Sequence, residues 1–93
     1  KRRNNMGALR VLGTEAACGT SVGAASTFDG STDVRLINVG TTVRLVTVAN
    51  AADATLGTLS LAGGETVIIK KKTTDQVFAA HAEIKGTAVL TEG

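Results

Sequence analysis

The stretch DVRLINVGTTVRLVTVAN, Asp33–Asn50, says nearly the same thing twice: VRLINV begins at Val34 and VRLVTV at Val43. Both copies alternate aliphatic with polar or charged side chains and are rich in β-branched residues, the period-two pattern of strands. Only Gly40, Thr41 and Thr42 separate them, so the stretch reads as a hairpin. Two registers compete. With Gly40-Thr41-Thr42 as the loop, Leu36 faces Val46 and each face carries one arginine. With Gly40-Thr41 as a two-residue type II′ turn, glycine in the first central position, Leu36 faces Leu45 and Val39 pairs with Thr42. The second register gathers Val34, Leu36, Val43 and Leu45 on one face and both Arg35 and Arg44 on the other. It segregates charge better and is preferred. The arginine face also holds Ile37, Val39, Val46 and Val48, too much aliphatic surface to leave in water, so a second sheet or another subunit is expected over it.

Outward from this stretch the same texture continues. Short apolar segments recur between Gly, Asn, Asp and Thr, and strands are expected near 8–13, 20–27, 33–39, 42–49, 54–61, 65–72, 76–81 and 84–91. TLGTLSLA and ETVIIKKK suggest a second hairpin joined by Ala62-Gly63-Gly64-Glu65, the glycines supplying positive φ. Lys70, Lys71 and Lys72 close that strand, either guarding an edge from aggregation or offering a patch to an acidic partner. In TTDQVFAA, Asp75 is expected to bond nearby backbone and Phe78 to enter the core. The pattern specifies an all-β, single-domain antiparallel β-sandwich or barrel of about seven or eight short strands, with residues 1–7 as a basic N-terminal arm and 8–93 as the domain.

The chain has 93 residues, 43% hydrophobic but only 2% aromatic, so one core must be built from Val, Leu, Ile and Ala. Such a core buries less area per residue than one with large rings, leaving stability for partner contacts to supply. One cysteine, Cys18, excludes an internal disulfide and is expected as a buried small hydrophobe. Lys1, Arg2 and Arg3 account for the basicity, leaving the remainder near −1, so the positive charge belongs to an arm expected to lie on another molecule. Met6-Gly7 has the form of a translational start, which leaves open whether residues 1–5 belong to the functional chain. No apolar run approaches the length of a membrane span.

Motifs for catalysis are missing. His81 stands between alanines without ligand-spaced partners, and no GxSxG, HExxH or CxxC occurs. GGE lacks the spacing of a phosphate loop. No cofactor and no enzymatic activity are expected. Strand faces without rings do not suit RNA or carbohydrate stacking, and the arm and lysine run could hold phosphate only without sequence preference. A small nucleic-acid- or ligand-binding β-barrel is the alternative from another functional class.

From Val34 onward the run VRLINVGTTVRLVTV, followed by ATLGTLSLAGGETVIIKKKTTDQVFA, resembles small β-rich virion structural proteins of tailed bacteriophages. The features that carry the resemblance are a strand ending in Asn-x-Gly, a Val-Thr-Val strand, the LAGGE turn before an Ile-rich strand, and the KKTTDQVFA close. The basic arm departs from that pattern. The resemblance implies a homo-oligomeric virion protein, assembled in the host cytoplasm. It implies binding in many copies as a capsid cement or decoration protein, with the major capsid protein as first partner and neck or tail proteins second. The expected assembly interface comprises Lys1, Arg2, Arg3, Arg35, Ile37, Val39, Arg44, Val46, Val48, Lys70, Lys71 and Lys72.

Overall fold

In the computed structural model, which describes residues 9–91, the two halves of the repeat do not pair with each other. β3 (Asp33–Asn38) lies between β6 (Thr66–Lys70) and β8 (Ile84–Thr91), whereas β4 (Arg44–Ala49) lies in a second sheet between β5 (Thr55–Leu61) and β7 (Gln76–Ala79). Two short pieces, β1 (Leu9–Val11) and β2 (Ala16–Ala17), run one after the other along the far edge of β8. Every pairing between strands is antiparallel. The protein is a small all-β domain of two antiparallel sheets, as the texture of the sequence indicated.

The expected hairpin is corrected by two ladders in succession, between which the first arm carries two more residues than the second. Asp33 faces Lys70 and Ile37 faces Thr66; the pairing resumes with Arg44 opposite Leu61 and runs to Val48 opposite Gly57. Residues 33–49 are thus one arm of a long ribbon and 55–70 the other, and the ribbon is folded across its middle so that its halves lie in opposite sheets. The physical reason is the aliphatic face formed by the even-numbered residues of the arm. A straight ribbon leaves that face open; a folded one turns Val34 and Leu36 of β3 toward Val46 and Val48 of β4, so that the face is buried against itself. The preferred face assignment therefore holds for β3 and reverses for β4, where Val43 and Leu45 are exposed. Ala62–Glu65, expected as a second hairpin turn, is the other half of the same corner. Gly64 there has φ +79°, the positive φ required at the second central position of a type II turn, and Glu65 N donates to Ala62 O at 2.9 Å. A side chain on Gly63 would press within 2.7 Å of the Thr41 backbone.

Asn38 ties the corner. Its side chain is fully buried; Nδ2 donates to Thr42 O at 2.7 Å and Leu61 O at 2.9 Å, and Oδ1 accepts from Gly40 N at 2.9 Å. Its backbone bonds Glu65 O and Gly64 N at 3.0 and 2.8 Å. Every polar atom of the amide has a partner, as burial demands.

The core gathers Val34, Leu36, Val46, Leu61, Val77 and Ile84 around one ring, that of Phe28. Phe28, Asp29 and Gly30 have φ of +50°, +60° and +72°, a left-handed turn that costs a bulky residue strain. The ring repays it by covering Gly86, where a Cβ would overlap its edge. Phe78, expected in the core, is instead half-buried opposite Thr47 on the outer face of β4–β7. The strand expected at 20–27 is also corrected: a 3-10 turn occupies Val22–Ala24, and isolated bridges join Gly19 to Phe78 and Ser26 to Val77. Small residues here offer no apolar face to bury, and Gly19 lies so close to the Ala24 carbonyl that a side chain would overlap it.

Cys18 is buried as expected, and burial pushes its thiol up to about 11. Iodoacetamide at pH 8 should therefore modify it only as fast as the domain opens, and urea below the unfolding transition should accelerate labelling. Rapid labelling of folded protein would contradict this burial.

Asp33 joins three strands of its sheet. Oδ2 accepts from Thr91 Oγ1 at 2.7 Å and Thr91 N at 3.3 Å, and Oδ1 accepts from Lys70 Nζ at 3.0 Å. The Thr91 hydroxyl first, then Lys70, hold the carboxyl below its usual range. A depressed folded-state pKa stabilises above the unfolded value, about 3.9, and this contribution is lost as pH falls through the folded one. Wild type should thus lose stability relative to Asp33→Asn as pH falls below about 4 in urea titrations; parallel curves for the two proteins would exclude the linkage.

Candidate assembly surface

The residues expected to form one interface do not share one surface. Val46 is fully buried and Val48 packs against the core, because the fold of the ribbon turns their face inward. Arg35 and Ile37 are half-buried, and their side of β3 is turned away from the core that Val34 and Leu36 enter; Val39 is exposed at the corner. Arg35 reaches Glu15 at 3.5 Å and Arg44 reaches Glu83 at 3.1 Å. Both guanidinium groups thus have acids of their own, in partly exposed pairs of small energetic value. Glu83 lies over Gly40, where a Cβ would overlap its carboxylate, and its N–H donates to His81 Nδ1 at 3.1 Å.

The lysine run also divides. Lys70 extends into solvent and pairs with Asp33. Lys71 is buried; its Nζ donates to Lys72 O at 3.2 Å, and burial lowers its pKa against the opposing pull of Asp75. Lys72 is exposed, and its N–H donates to Asp75 Oδ2 at 3.0 Å, the local backbone bond expected of that acid. Lys1, Arg2 and Arg3 lie outside the described residues.

What sequence reading missed is that each sheet has edges, and they are protected unequally. β1 and β2, on the edge beyond β8, have three and two residues and are interrupted. The edge of β7 is covered: Ala79 N donates to Gly19 O at 2.9 Å, and Val77 and Ser26 exchange bonds at 2.8 and 3.0 Å. β6 pairs with β3 through Glu65, Val67 and Ile69, so the backbone of Thr66, Ile68 and Lys70 faces outward on an edge carrying lysine. Among the described residues β5 has none of these protections, only a register shift that leaves Leu56 as an extra residue near its start.

The orientation of β5 follows from its neighbour. Ala80 N donates to Leu45 O at 2.8 Å, so Leu45 and Thr47 point their backbone groups at β7, while Arg44, Val46 and Val48 point theirs at β5. Their partners Leu61, Leu59 and Gly57 use their own groups inward, leaving those of Thr58 and Ser60 on the outer edge without a partner among the described residues. β5, TLGTLSL, carries no charge and is exposed along most of its seven residues. Beside it lies a groove of about 310 Å³ between the sheets, lined by Val48, Leu56, Leu59 and Ile69 with Lys70 and Asp75 at its rim.

Among the described residues no three His, Cys, Asp or Glu side chains stand close enough to hold a metal, and no helix is long and apolar enough to cross a membrane. No family model, curated protein or solved structure matches the chain.

Proposed function

We propose that this chain is a non-enzymatic structural protein of a phage particle, acting in many copies as a capsid cement or decoration protein. The observation that carries the reading is the uncharged β5 edge, unpaired among the described residues, beside an apolar groove. Native sheets normally shorten, charge or cover such an edge, because it templates pairing with another chain. An edge left open in a domain with a sparsely aromatic core fits a protein completed by its neighbours. Exposed Val43, Leu45 and Leu56 add aliphatic surface along the same pair of strands, and the resemblance from Val34 onward supplies the kind of assembly. A place in the neck or tail makes the same use of the edge.

Mass spectrometry of purified virions from cells producing the chain tests this. A stoichiometry of many copies per particle, cross-linked to the major capsid protein, is the expected result; cross-links to neck or tail proteins would move its place. Absence from intact particles would overturn the reading.

A further inference from the structure

We propose that β5 is the site of a symmetric dimer, in which the β5 edges of two copies pair antiparallel about a two-fold axis at Thr58. The proposal rests on the assembly reading above and adds the partner and the register. It starts from the free backbone groups of Thr58 and Ser60, which alternate with the inward-bonding Gly57 and Leu59. With Thr58 opposite Thr58 of the second copy, the two exchange a pair of N–H···O bonds, and Ser60 falls opposite position 56 of the second copy. The contact is isologous, so each copy presents the same groups to the other.

Three features favour a second copy as occupant. First, the edge carries no charge and the body of the domain is near neutral, so copies meet without the repulsion that Lys70 imposes on the β6 edge. Second, threonine opposite threonine is a favourable cross-strand pair at an exposed position. Third, the register places Leu59 of the second copy opposite Gly57, and a Cβ at Gly57 would meet nothing within 4 Å. Each leucine therefore enters open space at the mouth of the other copy's groove, covering Leu59 and Ile69, which are only partly buried in one chain. The paired sheets become one sheet of six strands, β7-β4-β5 continued by β5-β4-β7 of the second copy.

Charge exchange at the axis tests both pairing and register. Thr58→Lys and Thr58→Asp each place like charges directly opposite one another only if position 58 faces itself. Sedimentation equilibrium should show wild type as a dimer, each variant alone with its dissociation constant raised about tenfold or more, and an equimolar mixture recovering the dimer. Thermal midpoints near wild type confirm folding, since the Thr58 N–H lies outside the intramolecular ladder. A wild type monomeric at about 1 mM, variants that dimerise like wild type, or a mixture that stays monomeric would each overturn the proposal. The virion measurement is independent: a monomer found in particles removes only the β5 pairing, and a dimer absent from them removes only the virion role.

Discussion

Phe28→Ala should lower the unfolding free energy by about 3–5 kcal/mol, out of the total of about 5–15 kcal/mol usual for a domain. In urea the midpoint should fall by about 2 M. The ring is the one aromatic side chain in a core otherwise made of aliphatic residues and Cys18, so its removal leaves a cavity that Val34, Leu36 and Ile84 cannot fill without moving the sheets. Alanine also inherits φ +50° without the packing that compensates the strain. The specific partner is Gly86, which lacks a side chain because the ring occupies its place, with Leu36 Cδ2 another 3.1 Å from the same point. Gly86→Val alone should destabilise by forcing the ring out, whereas in the Phe28→Ala background valine occupies vacated space. The double mutant should be more stable than the sum of the single effects by about 1–3 kcal/mol. Additive effects would show that ring and glycine do not share a site.

The second large effect belongs to Asn38. Asn38→Ala removes two donors and an acceptor at the corner, orphaning the carbonyls of Thr42 and Leu61 and the N–H of Gly40. An unpaired buried backbone group costs about 1–3 kcal/mol; only the bond to Leu61 is fully buried, the other two being open to water in part, so a loss of about 2–3 kcal/mol is expected. Asn38→Asp separates hydrogen bonding from shape. A carboxylate keeps the bond to Gly40 but turns an oxygen toward two carbonyls in a buried place, so its folded-state pKa rises above the unfolded value of about 3.9. The variant should sit closest to wild type below about pH 4 and fall further behind as pH rises toward neutral. A deficit independent of pH would mean that the amide does not bond both carbonyls.

Much of the architecture was legible in particular residues. Alternation in VRLINV and VRLVTV fixed both as strands, and Gly63-Gly64 marked a turn with positive φ, found at Gly64. Cys18 was readable as a buried thiol because nothing near it in sequence offered a basic side chain to activate it. The edge on β5 was present in TLGTLSL as seven residues without charge, and a search for unguarded strands would have found the segment. It would not have shown that it was an edge, because edge and centre differ in neighbours rather than in residues.

The failures share a physical cause. Choosing the hairpin register by charge segregation assumed that 33–39 and 42–49 pair with each other, and only in that hairpin do Arg35 and Arg44 fall on one face. Folding the ribbon at Asn38 puts these arginines on differently directed strands, and distant Glu15 and Glu83 receive them. Phe78 was misplaced and Phe28 overlooked: strand alternation places Phe78 opposite Thr47 on an outer face, while a left-handed turn without strand pattern delivers Phe28 to the core. By itself the sequence determined the all-β class and most of the strands, though not the 3-10 turn at Val22–Ala24 or the pairing at Ala16–Ala17, because these depend on alternation and backbone preference over a few residues. Only the tertiary structure decided which strands are neighbours, which face of β4 is inside and which edge is left open. Those depend on long-range pairing, where burying the Val34, Leu36, Val46 and Val48 face against itself outweighs any local preference for a straight hairpin.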